Sequence, residues 1–382
     1  MSAIAAVVGV AESDLGVTGK SVLELQAQAV TAALADAGLA LAEVDGLASN
    51  GAGRFSATQV AEYLGIRPAW TDSTFAGGSS YELFVARAAE AIRTGRCRVA
   101  LVSYGSNQRS ARSRRLAGAL DPGTPQEEFE APYGPLNPIS LYAMAAQRYL
   151  HETAGRPEQL AEVAVAARAW ALRNPKAFRH RDGPLTVADV LASPPVSTPL
   201  HVLDCCLVTD GGGAVVLTSV ERARDLRGRP VVVLGHGEAT SGVSMSQLGD
   251  LLAPGGAQAA ARAWAMAGLG PADVDVVQVY DSFTINVLLS LEALGICGRG
   301  EAGAFVEGGR IAPGGALPVN TSGGGLSYCH PGMFGIFLVI EAVRQLRGEA
   351  GERQVPGART AVCHGTGGTL SSHATLVLGV DR

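Results

Sequence analysis

The chain alternates between short apolar runs and longer alanine-rich segments with helical spacing. The runs "AIAAVVGVA" at 3–11 and "RPVVVLGHG" at 229–237 are apolar along most of their length. Strands of this kind are buried on both faces, as in mostly parallel sheets that are covered by helices. The pattern therefore predicts an α/β protein.

The apolar pattern also repeats at a spacing of 230 residues. Residues 27–45 read "AQAVTAALADAGLALAEVD", and residues 257–275 read "AQAAARAWAMAGLGPADVD". Each copy predicts an alanine-rich helix that ends at a glycine in the left-handed conformation, followed by a strand. We infer two copies of one α/β unit, an N-terminal half at 1–227 and a C-terminal half at 228–382.

Between about 105 and 200 this pattern loosens. The stretch "LDPGTPQEEFEAPYGPLNPIS" at 120–140 is rich in proline, glycine and acidic residues. Such composition predicts an excursion over the surface, and long excursions often cover a substrate site.

Composition narrows the class of protein. A net charge of −5 spread along the chain argues against nucleic acid as a partner. We interpret the basic cluster "RSARSRRLAG" at 109–118 as a solvated loop, with an anion site as the alternative. No apolar run reaches the roughly 18 residues of a membrane span, and no metal motif is present.

Two further features concern location. The N-terminus lacks the basic segment of a signal peptide, and it predicts a first buried strand instead. Six cysteines are scattered without a CxxC pair, which favours buried thiols in a reducing compartment. We expect a cytoplasmic protein without a membrane partner.

Candidate chemistry is concentrated in "NTSGGGLSYCHPGMFG" at 320–335. A glycine-rich turn presents Tyr328, Cys329 and His330 in consecutive positions, and a proline follows. Segments of this composition present side chains in a pocket more often than they pack a core.

Several longer stretches carry a family resemblance. They are "TFAGGSSYELFVARAAEAIRTG" (74–95), "LDCCLVTDGGGAVVLTS" (203–219), "VQVYDSFTINVLLSLEALGICGRGEAGAFV" (277–306), "PVNTSGGGLSYCHPGMFGIFLVIEAVRQLRGEAG" (318–351) and the tail "AVCHGTGGTLSSHATLVL". Together they resemble the thiolase superfamily, in the branch of sterol-carrier thiolases and lipid-transfer proteins. The resemblance implies a thiolase fold, with two pseudo-symmetric α/β halves in a five-layer αβαβα arrangement and an inserted loop domain.

The sequence departs from thiolases where the chemistry begins. Gly78 stands at the position of the acylated cysteine, and a serine nucleophile at Ser79 or Ser80 would need an adjacent base. We interpret these serines as helix caps. Tyr280 replaces the histidine that this branch usually carries, whereas His330 is retained. The usual acid cysteine corresponds to Cys363 or His364.

Loss of the nucleophile leaves the half of thiolase chemistry that stabilises a thioester enolate. In this respect the chain resembles the steroid side-chain-cleaving aldolases, which implies retro-aldol cleavage of a bulky β-hydroxyacyl-CoA to a ketone or aldehyde and a shorter acyl-CoA such as propionyl-CoA or acetyl-CoA. The resemblance implies acid–base roles for Tyr280 and Tyr328, with His330 as a relay or as the base. Expected substrate contacts are Gly78, Ser79, Asp281, Asn320, Gly324, Gly325 and His364.

Two alternatives remain open at this point. One is an acyl transferase that uses Cys329 or Cys363 as nucleophile, and the other is a non-catalytic lipid-CoA carrier. The resemblance also implies a homodimer and a small acyl-CoA-binding partner with an OB fold and a zinc ribbon. We expect no bound cofactor, because CoA is part of the substrate.

Overall fold

The computed structural model describes residues 3–114, 123–135 and 138–381. The basic cluster at 109–118 and the stretch at 120–140 therefore lie partly outside the described residues. The elements of the N-terminal half are β1 (Ala6–Glu12), α1 (Val22–Ala37), β2 (Gly46–Ser49), α2 (Ser56–Leu64), β3 (Trp70–Asp72), α3 (Ser80–Arg93), β4 (Val99–Ser106), α4 (Ile139–Thr153), α5 (Pro157–Ala171), α6 (Val187–Ala192), β5 (Pro195–Ser197), β6 (Leu200–His201), β7 (Gly211–Thr218) and α7 (Val220–Ala223). Those of the C-terminal half are β8 (Val231–Thr240), α8 (Gly256–Ala267), β9 (Val276–Val279), α9 (Thr284–Ala293), α10 (Ala302–Val306), α11 (Gly335–Arg347), β10 (Thr360–Gly367) and β11 (Ser372–Val380).

One nine-stranded sheet runs through both halves, in the order β3-β2-β4-β7-β1-β8-β11-β10-β9. The halves join where β1 meets β8, through the pairs Ala6–Val232 and Val7–Val231. Only β2–β3, β2–β4 and β9–β10 are parallel, and the other neighbours are antiparallel. The expectation of a mostly parallel sheet is therefore wrong. Most of the strands are apolar and buried because helices cover both faces.

Three apolar cores lie between the helices and the sheet. Helices α3 and α11 pack against strands of both halves and form the central layer, whose core includes Phe84, Phe334 and Phe337. Helices α1 and α2 cover the outer face of the N-terminal half, and α8 and α9 cover that of the C-terminal half. This arrangement confirms the predicted five layers.

The repeat has the same structural role in each half. Helices α1 and α8 end at Gly38 (φ 69°) and Gly268 (φ 60°), as the sequence predicts. Each helix also packs in close contact with the strand before it. Gly9 leaves room for Ala37 of α1, and Gly235 leaves room for Ala267 of α8.

The repeated aspartates share a second role. Asp45 Oδ1 accepts the N–H groups of Arg98 and Val99, each at 2.8 Å, where β4 begins. Asp275 Oδ2 accepts those of Arg359 and Thr360 at 2.8 and 2.9 Å, where β10 begins. Each carboxylate thus fixes the start of a neighbouring parallel strand. The exact boundary between the halves stays a prediction.

The region between about 105 and 200 is more regular than its sequence suggests. Helices α4 and α5 occupy much of its described part, and α5 packs on α9 and α10. The amphipathic pattern of these helices is weak in the sequence because alanines fill both contact and intermediate positions.

None of the helices in the described ranges is long and apolar enough to cross a membrane.

The two aspartates give a matched stability test. We expect Asp45→Ala and Asp275→Ala each to lower the free energy of unfolding by about 2 kcal/mol, because two strand N–H groups lose a charged acceptor. Urea unfolding followed by circular dichroism measures the change. The exposed Asp225 serves as control, and a loss of equal size in Asp225→Ala would contradict the assigned role.

Candidate active site

Tyr280 follows β9 and turns its ring into the central layer, against Gly78 at the start of the segment that leads into α3. A Cβ atom at residue 78 would lie 2.6 Å from Tyr280 Cζ and 2.5 Å from the Thr366 carbonyl oxygen, and closer still to Tyr280 Cε2. Real Cβ contacts are longer than this. A side chain at residue 78 and the ring of Tyr280 therefore exclude each other.

Tyr280 and His330, here called the central pair, are hydrogen-bonded. The Tyr280 hydroxyl lies 3.0 Å from His330 Nε2, with the two rings edge to face at 88°. The hydroxyl also accepts the Phe334 N–H at 3.2 Å, and α11 begins at the next residue. The positive end of the α11 dipole therefore faces the phenol oxygen.

Both members of the central pair are neutral near pH 7. Burial raises the pKa of Tyr280 well above its usual value. Burial, and then the positive charge of Arg114, lowers the pKa of His330 to about 3. His330 Nδ1 is buried and has no hydrogen-bond partner among the described residues. The ring therefore retains one nitrogen with which it can bind a substrate oxygen.

The loop that carries His330 is held by two predicted site residues. Burial raises the pKa of Asp281 to about 7, and its Oδ1 accepts the Gly325 N–H at 2.6 Å. Gly324 has φ 63°, and a side chain there would overlap the Asp281 carboxylate. Asn320 Oδ1 accepts the N–H of Val279 at 2.8 Å. These groups orient the loop, and their contact with substrate stays a prediction.

Tyr328 takes part in a separate buried network. Its hydroxyl donates to Glu12 Oε1 at 2.6 Å. Arg344 donates to both oxygens of Glu12, and Lys176 Nζ lies 3.1 Å from Oε2. Although burial opposes ionisation, the charge and hydrogen bonds of Arg344 hold the pKa of Glu12 well below its usual value. The network connects the loop that carries His330 to β1.

The structure does not bring Tyr328 to the central pair. No hydrogen bond or ring contact joins Tyr328 to Tyr280 or His330 within the described ranges. Phe334 contacts all three rings, at centroid distances of 6.1 Å to Tyr280, 6.2 Å to His330 and 6.5 Å to Tyr328. A catalytic role for Tyr328 stays a prediction.

Among the described residues, no base is hydrogen-bonded to the hydroxyl of Ser79 or Ser80. Ser79 Oγ donates to the Ala76 carbonyl at 2.9 Å and lies 3.0 Å from Ser372 Oγ. Ser80 Oγ donates to the Gly77 carbonyl at 2.7 Å. Neither side chain caps the amides of α3, so the interpretation as helix caps is wrong. Each hydroxyl donates to the carbonyl group three residues before it, and these bonds hold the turn that contains Gly78.

His364 lies on the other face of the sheet. Side chains alternate along β10, so Cys363 faces the central layer whereas His364 faces the outer layer under α8. His364 Nδ1 lies 2.8 Å from Thr375 Oγ1, and the ring stacks on His373. The side chain of His364 therefore points away from the central pair, although its carbonyl oxygen accepts the Tyr280 N–H at 3.0 Å. Burial raises the pKa of Cys363 well above that of a free thiol, so the thiol stays protonated near pH 7 and is a poor nucleophile.

Sequence reasoning missed Glu82, which is fully buried in α3. Neither carboxylate oxygen has a partner in the described structure, and burial raises the pKa to about 8. The carboxyl fills the space beside Gly365 and Gly335, two residues at which a Cβ would collide with it. The available signal was a lone glutamate within the apolar run "SSYELFVARAA".

Tyr104 was also missed. Its hydroxyl donates to the Pro331 carbonyl at 2.7 Å and accepts the Met333 N–H at 3.0 Å. It therefore fixes the segment between His330 and α11. Within the described residues, no group of three or more His, Cys, Asp or Glu side chains could hold a metal ion.

Comparison with known proteins shows the family. Residues 237–380 match the family described as "Thiolase C-terminal domain-like". The chain is 37% identical to a "17-hydroxy-3-oxo-4-pregnene-20-carboxyl-CoA lyase" of Mycobacterium tuberculosis, over 99% of this chain and 100% of that protein. It belongs to the thiolase superfamily. Within this superfamily, it is also 36% identical to a "Steroid side-chain-cleaving aldolase" of Thermomonospora curvata, over 99% and 98% of the two chains.

Solved structures of the superfamily match closely. An "Ltp2-ChsH2(DUF35) aldolase" superposes with a TM-score of 0.90 at 35% identity, over 99% of this chain and 98% of that chain. Human mitochondrial 3-ketoacyl-CoA thiolase superposes with a TM-score of 0.73 at 17% identity, over 100% of both chains. The second match concerns the fold alone.

The exclusion between residue 78 and Tyr280 can be measured as a coupling. We expect Gly78→Ala to lower the free energy of unfolding by about 1–3 kcal/mol, because the new methyl group overpacks the central layer. In a Tyr280→Ala background the same substitution should cost clearly less, with a remainder from the Thr366 carbonyl. Equal costs in both backgrounds would contradict the exclusion. Gly249→Ala, at a position with open space, is the control.

Glu82 predicts an unusual dependence of stability on pH. Its pKa rises from an ordinary 4.5 to about 8 on folding, so the folded protein holds the proton more tightly. The contribution of Glu82 to stability is then most favourable below about pH 4.5 and falls as pH rises towards 8. Glu82→Gln should match wild type near pH 4.5 and exceed it by on the order of 3 kcal/mol at pH 7.

Urea unfolding at several pH values measures this difference. Glu90 in the same helix is the matched control, because Arg93 lowers its pKa. For Glu90→Gln the difference should be small and opposite in sign. A Glu82→Gln curve parallel to wild type across this range would contradict the buried, proton-bearing carboxyl.

Proposed function

We propose that this protein is a carbon–carbon lyase, an aldolase that cleaves a bulky, steroid-type β-hydroxyacyl-CoA. The products are a ketone or aldehyde and a shorter acyl-CoA, such as propionyl-CoA or acetyl-CoA. The proposal agrees with the names of the two full-length relatives, which are called a lyase and a steroid side-chain-cleaving aldolase.

The observation that carries the proposal is the ring of Tyr280 in the space beside Gly78. In thiolases this space belongs to the nucleophile that accepts the acyl group. Here it holds a phenol whose hydroxyl is bonded to an imidazole. The site therefore offers proton transfer in place of acyl transfer.

Retro-aldol cleavage requires one proton to leave the β-hydroxyl and one to reach Cα. In our proposal His330 Nδ1 accepts the hydroxyl proton while the Cα–Cβ bond breaks, and its electrons form the thioester enolate. In the same step His330 Nε2 passes its proton to the Tyr280 oxygen, and the Tyr280 hydroxyl proton moves to Cα. The pair ends with its original number of protons, and neither residue needs a stable charged state.

Burial of the central pair suits this exchange. A tyrosinate or an imidazolium would be costly in this layer, so the concerted transfer of the three protons avoids both. Backbone amides near the start of α11 and around Gly78 are the groups available for the enolate oxygen. No bound cofactor takes part in the proposal, since CoA arrives as part of the substrate.

The acyl-transferase alternative has less support. Cys329 and Cys363 are fully buried, and burial raises the pKa of each well above that of a free thiol. A thiolate is the nucleophilic form, so both cysteines are held in the unreactive state. A non-catalytic carrier remains the alternative that activity measurements must exclude.

We also propose the wider setting of the enzyme. A related structure is described as an "Ltp2-ChsH2(DUF35) aldolase", which supports assembly of this chain with a DUF35 partner. We propose that this partner is a small acyl-CoA-binding protein with an OB fold and a zinc ribbon. Membership of the thiolase superfamily supports a homodimer. All six cysteines are free, which supports a cytoplasmic location.

Product analysis by mass spectrometry tests the reaction. The protein is incubated, with and without the partner, with a branched β-hydroxyacyl-CoA, and separately with a 3-ketoacyl-CoA plus free CoA. We expect a ketone or aldehyde and a shortened acyl-CoA from the first substrate, formed without free CoA. CoA-dependent cleavage of the second would favour a thiolase, and acyl-CoA binding without turnover would favour a carrier.

Substitutions then test the central pair. Tyr280→Phe and His330→Ala should each lower kcat by about 100-fold to 10,000-fold, the usual contribution of general acid–base catalysis. Tyr328→Phe is the matched comparison, since it removes a hydroxyl bonded to Glu12. A small change in kcat with reduced stability would assign Tyr328 to structure, whereas a loss like that of Tyr280→Phe would assign it to catalysis.

A further inference from the structure

A buried carboxyl that the proposed reaction does not use lies beside the turn that contains Gly78. Glu82 is on the first turn of α3, four residues after Gly78, and it is fully buried. A Cβ atom at residue 335 would lie 2.5 Å from Glu82 Oε2 and still closer to the Gly78 carbonyl oxygen. One at residue 365 would lie 2.5 Å from Glu82 Cδ. The carboxyl therefore lies where the Gly78 turn, the start of α11 and strand β10 meet.

The same three segments contact Tyr280. Gly78 lies against the Tyr280 ring, and the Phe334 N–H at the start of α11 donates to the Tyr280 hydroxyl at 3.2 Å. The Tyr280 N–H donates to the His364 carbonyl of β10 at 3.0 Å. A change in the position or charge of Glu82 is therefore transmitted to Tyr280 through direct packing contacts.

The surroundings of Glu82 favour a neutral carboxyl. Within the described residues neither of its oxygens has a hydrogen-bond partner, so a charge there would be unsatisfied. Burial raises the pKa of Glu82 to about 8, against a smaller effect of its own backbone N–H. A buried polar group without a partner costs stability, and one that lies beside reacting groups indicates a functional role.

Glu82 also lines a cleft of about 250 Å³ between α3, β8 and β11, here called the α3 cleft. Its other charged or titratable lining residues are Arg87, Glu90, His236, Glu238 and Arg262. Arg87 is paired with Glu238. Glu90 Oε1 lies 3.6 Å from His236 Nε2. The side chain of Glu238 is exposed, so the cleft reaches the surface there and water can exchange the proton of Glu82.

The remaining titratable neighbours of Glu82 do not ionise near neutral pH. They are Tyr81 on α3 and Cys363 on β10, and burial raises the pKa of each well above its usual value. The α11 residues from Gly335 to Ile340 carry no titratable group. Asp281 follows Tyr280, and burial raises its pKa to about 7, so it titrates separately from Glu82.

We infer that the protonated carboxyl of Glu82 is a positioning group for Tyr280, and that loss of this proton disturbs the hydrogen bond between Phe334 and Tyr280. The inference rests on the proposed function and adds a residue that acts through Tyr280. A carboxylate only accepts hydrogen bonds, so it attracts the N–H groups of the first turn of α11, which have no side-chain cap. The Phe334 N–H precedes this turn and binds the Tyr280 oxygen. Ionised Glu82 therefore competes with Tyr280 for the same backbone segment.

The dependence of kcat on pH tests the inference. We would measure kcat and KM of wild type and Glu82→Gln with a β-hydroxyacyl-CoA from about pH 7 to about pH 9. Relative to Glu82→Gln, wild type should lose about tenfold in kcat over this range, because the protonated fraction of a group with a pKa of about 8 falls by that factor. KM should change little, since Tyr280 acts in the chemical step. Glutamine keeps the shape of the protonated carboxyl without its charge, and the contribution of Asp281 cancels in the ratio.

Glu90→Gln is the matched control, since it removes another carboxyl from the α3 cleft and should follow wild type. Glu82→Ala empties the space between Gly335 and Gly365, so it should lower kcat about tenfold to 100-fold at every pH, and glutamine should restore most of this loss. Three results would overturn the inference: a parallel fall of wild type and Glu82→Gln, loss of the fall in Glu90→Gln, or equal kcat in Glu82→Ala and Glu82→Gln.

Failure of the proposed function gives a different result, since wild type would then cleave no β-hydroxyacyl-CoA. Infrared difference spectra between pH 7 and pH 9 still test the inference in that case. Wild type should lose a protonated-carboxyl band that Glu82→Gln lacks, and a tyrosine ring band should shift with it. Tyr280→Phe should keep the carboxyl change and lose the tyrosine shift. A carboxyl change without a tyrosine shift in wild type, or no difference between wild type and Glu82→Gln, would overturn the inference independently of catalysis.

Discussion

The chemistry of this site depends on one volume in the central layer, which either a side chain at residue 78 or the ring of Tyr280 can fill. Because residue 78 is glycine, the phenol enters from the end of β9 and reaches His330. Glycine at residue 78 and the contact between Tyr280 and His330 are therefore parts of a single structural change. The two departures from the thiolase sequence, Gly78 and Tyr280, are therefore coupled by packing.

The surrounding fold keeps that phenol oriented and neutral. The oxygen accepts the amide that precedes α11, and the loop that carries His330 is held by Asp281, Asn320 and Tyr104. Burial then acts in opposite directions on the two rings, raising the pKa of Tyr280 and lowering that of His330. The resulting pair can exchange protons without holding a charge.

The sequence predicted those parts of the fold that depend on local pattern. The 230-residue repeat, the glycine ends of α1 and α8, and the importance of Gly78 could all be read directly. The partner of Tyr328 could not, because Glu12 lies 316 positions away and only the folded sheet brings them together. The direction of the His364 side chain could not be read either, since a shift of one residue along a strand exchanges the two faces. Glu82 escaped notice because its local signal, a lone glutamate in an apolar run, does not show whether the carboxyl reaches solvent.

The shared volume also has a consequence for descent. A cysteine side chain at residue 78 would overlap the ring of Tyr280, so this chain could regain one only at a cost in stability while that ring remains. A smaller group at residue 280 beside Gly78 relieves the overlap. The two substitutions that separate these arrangements therefore have a preferred order, in which the ring at residue 280 is replaced before a side chain returns at residue 78.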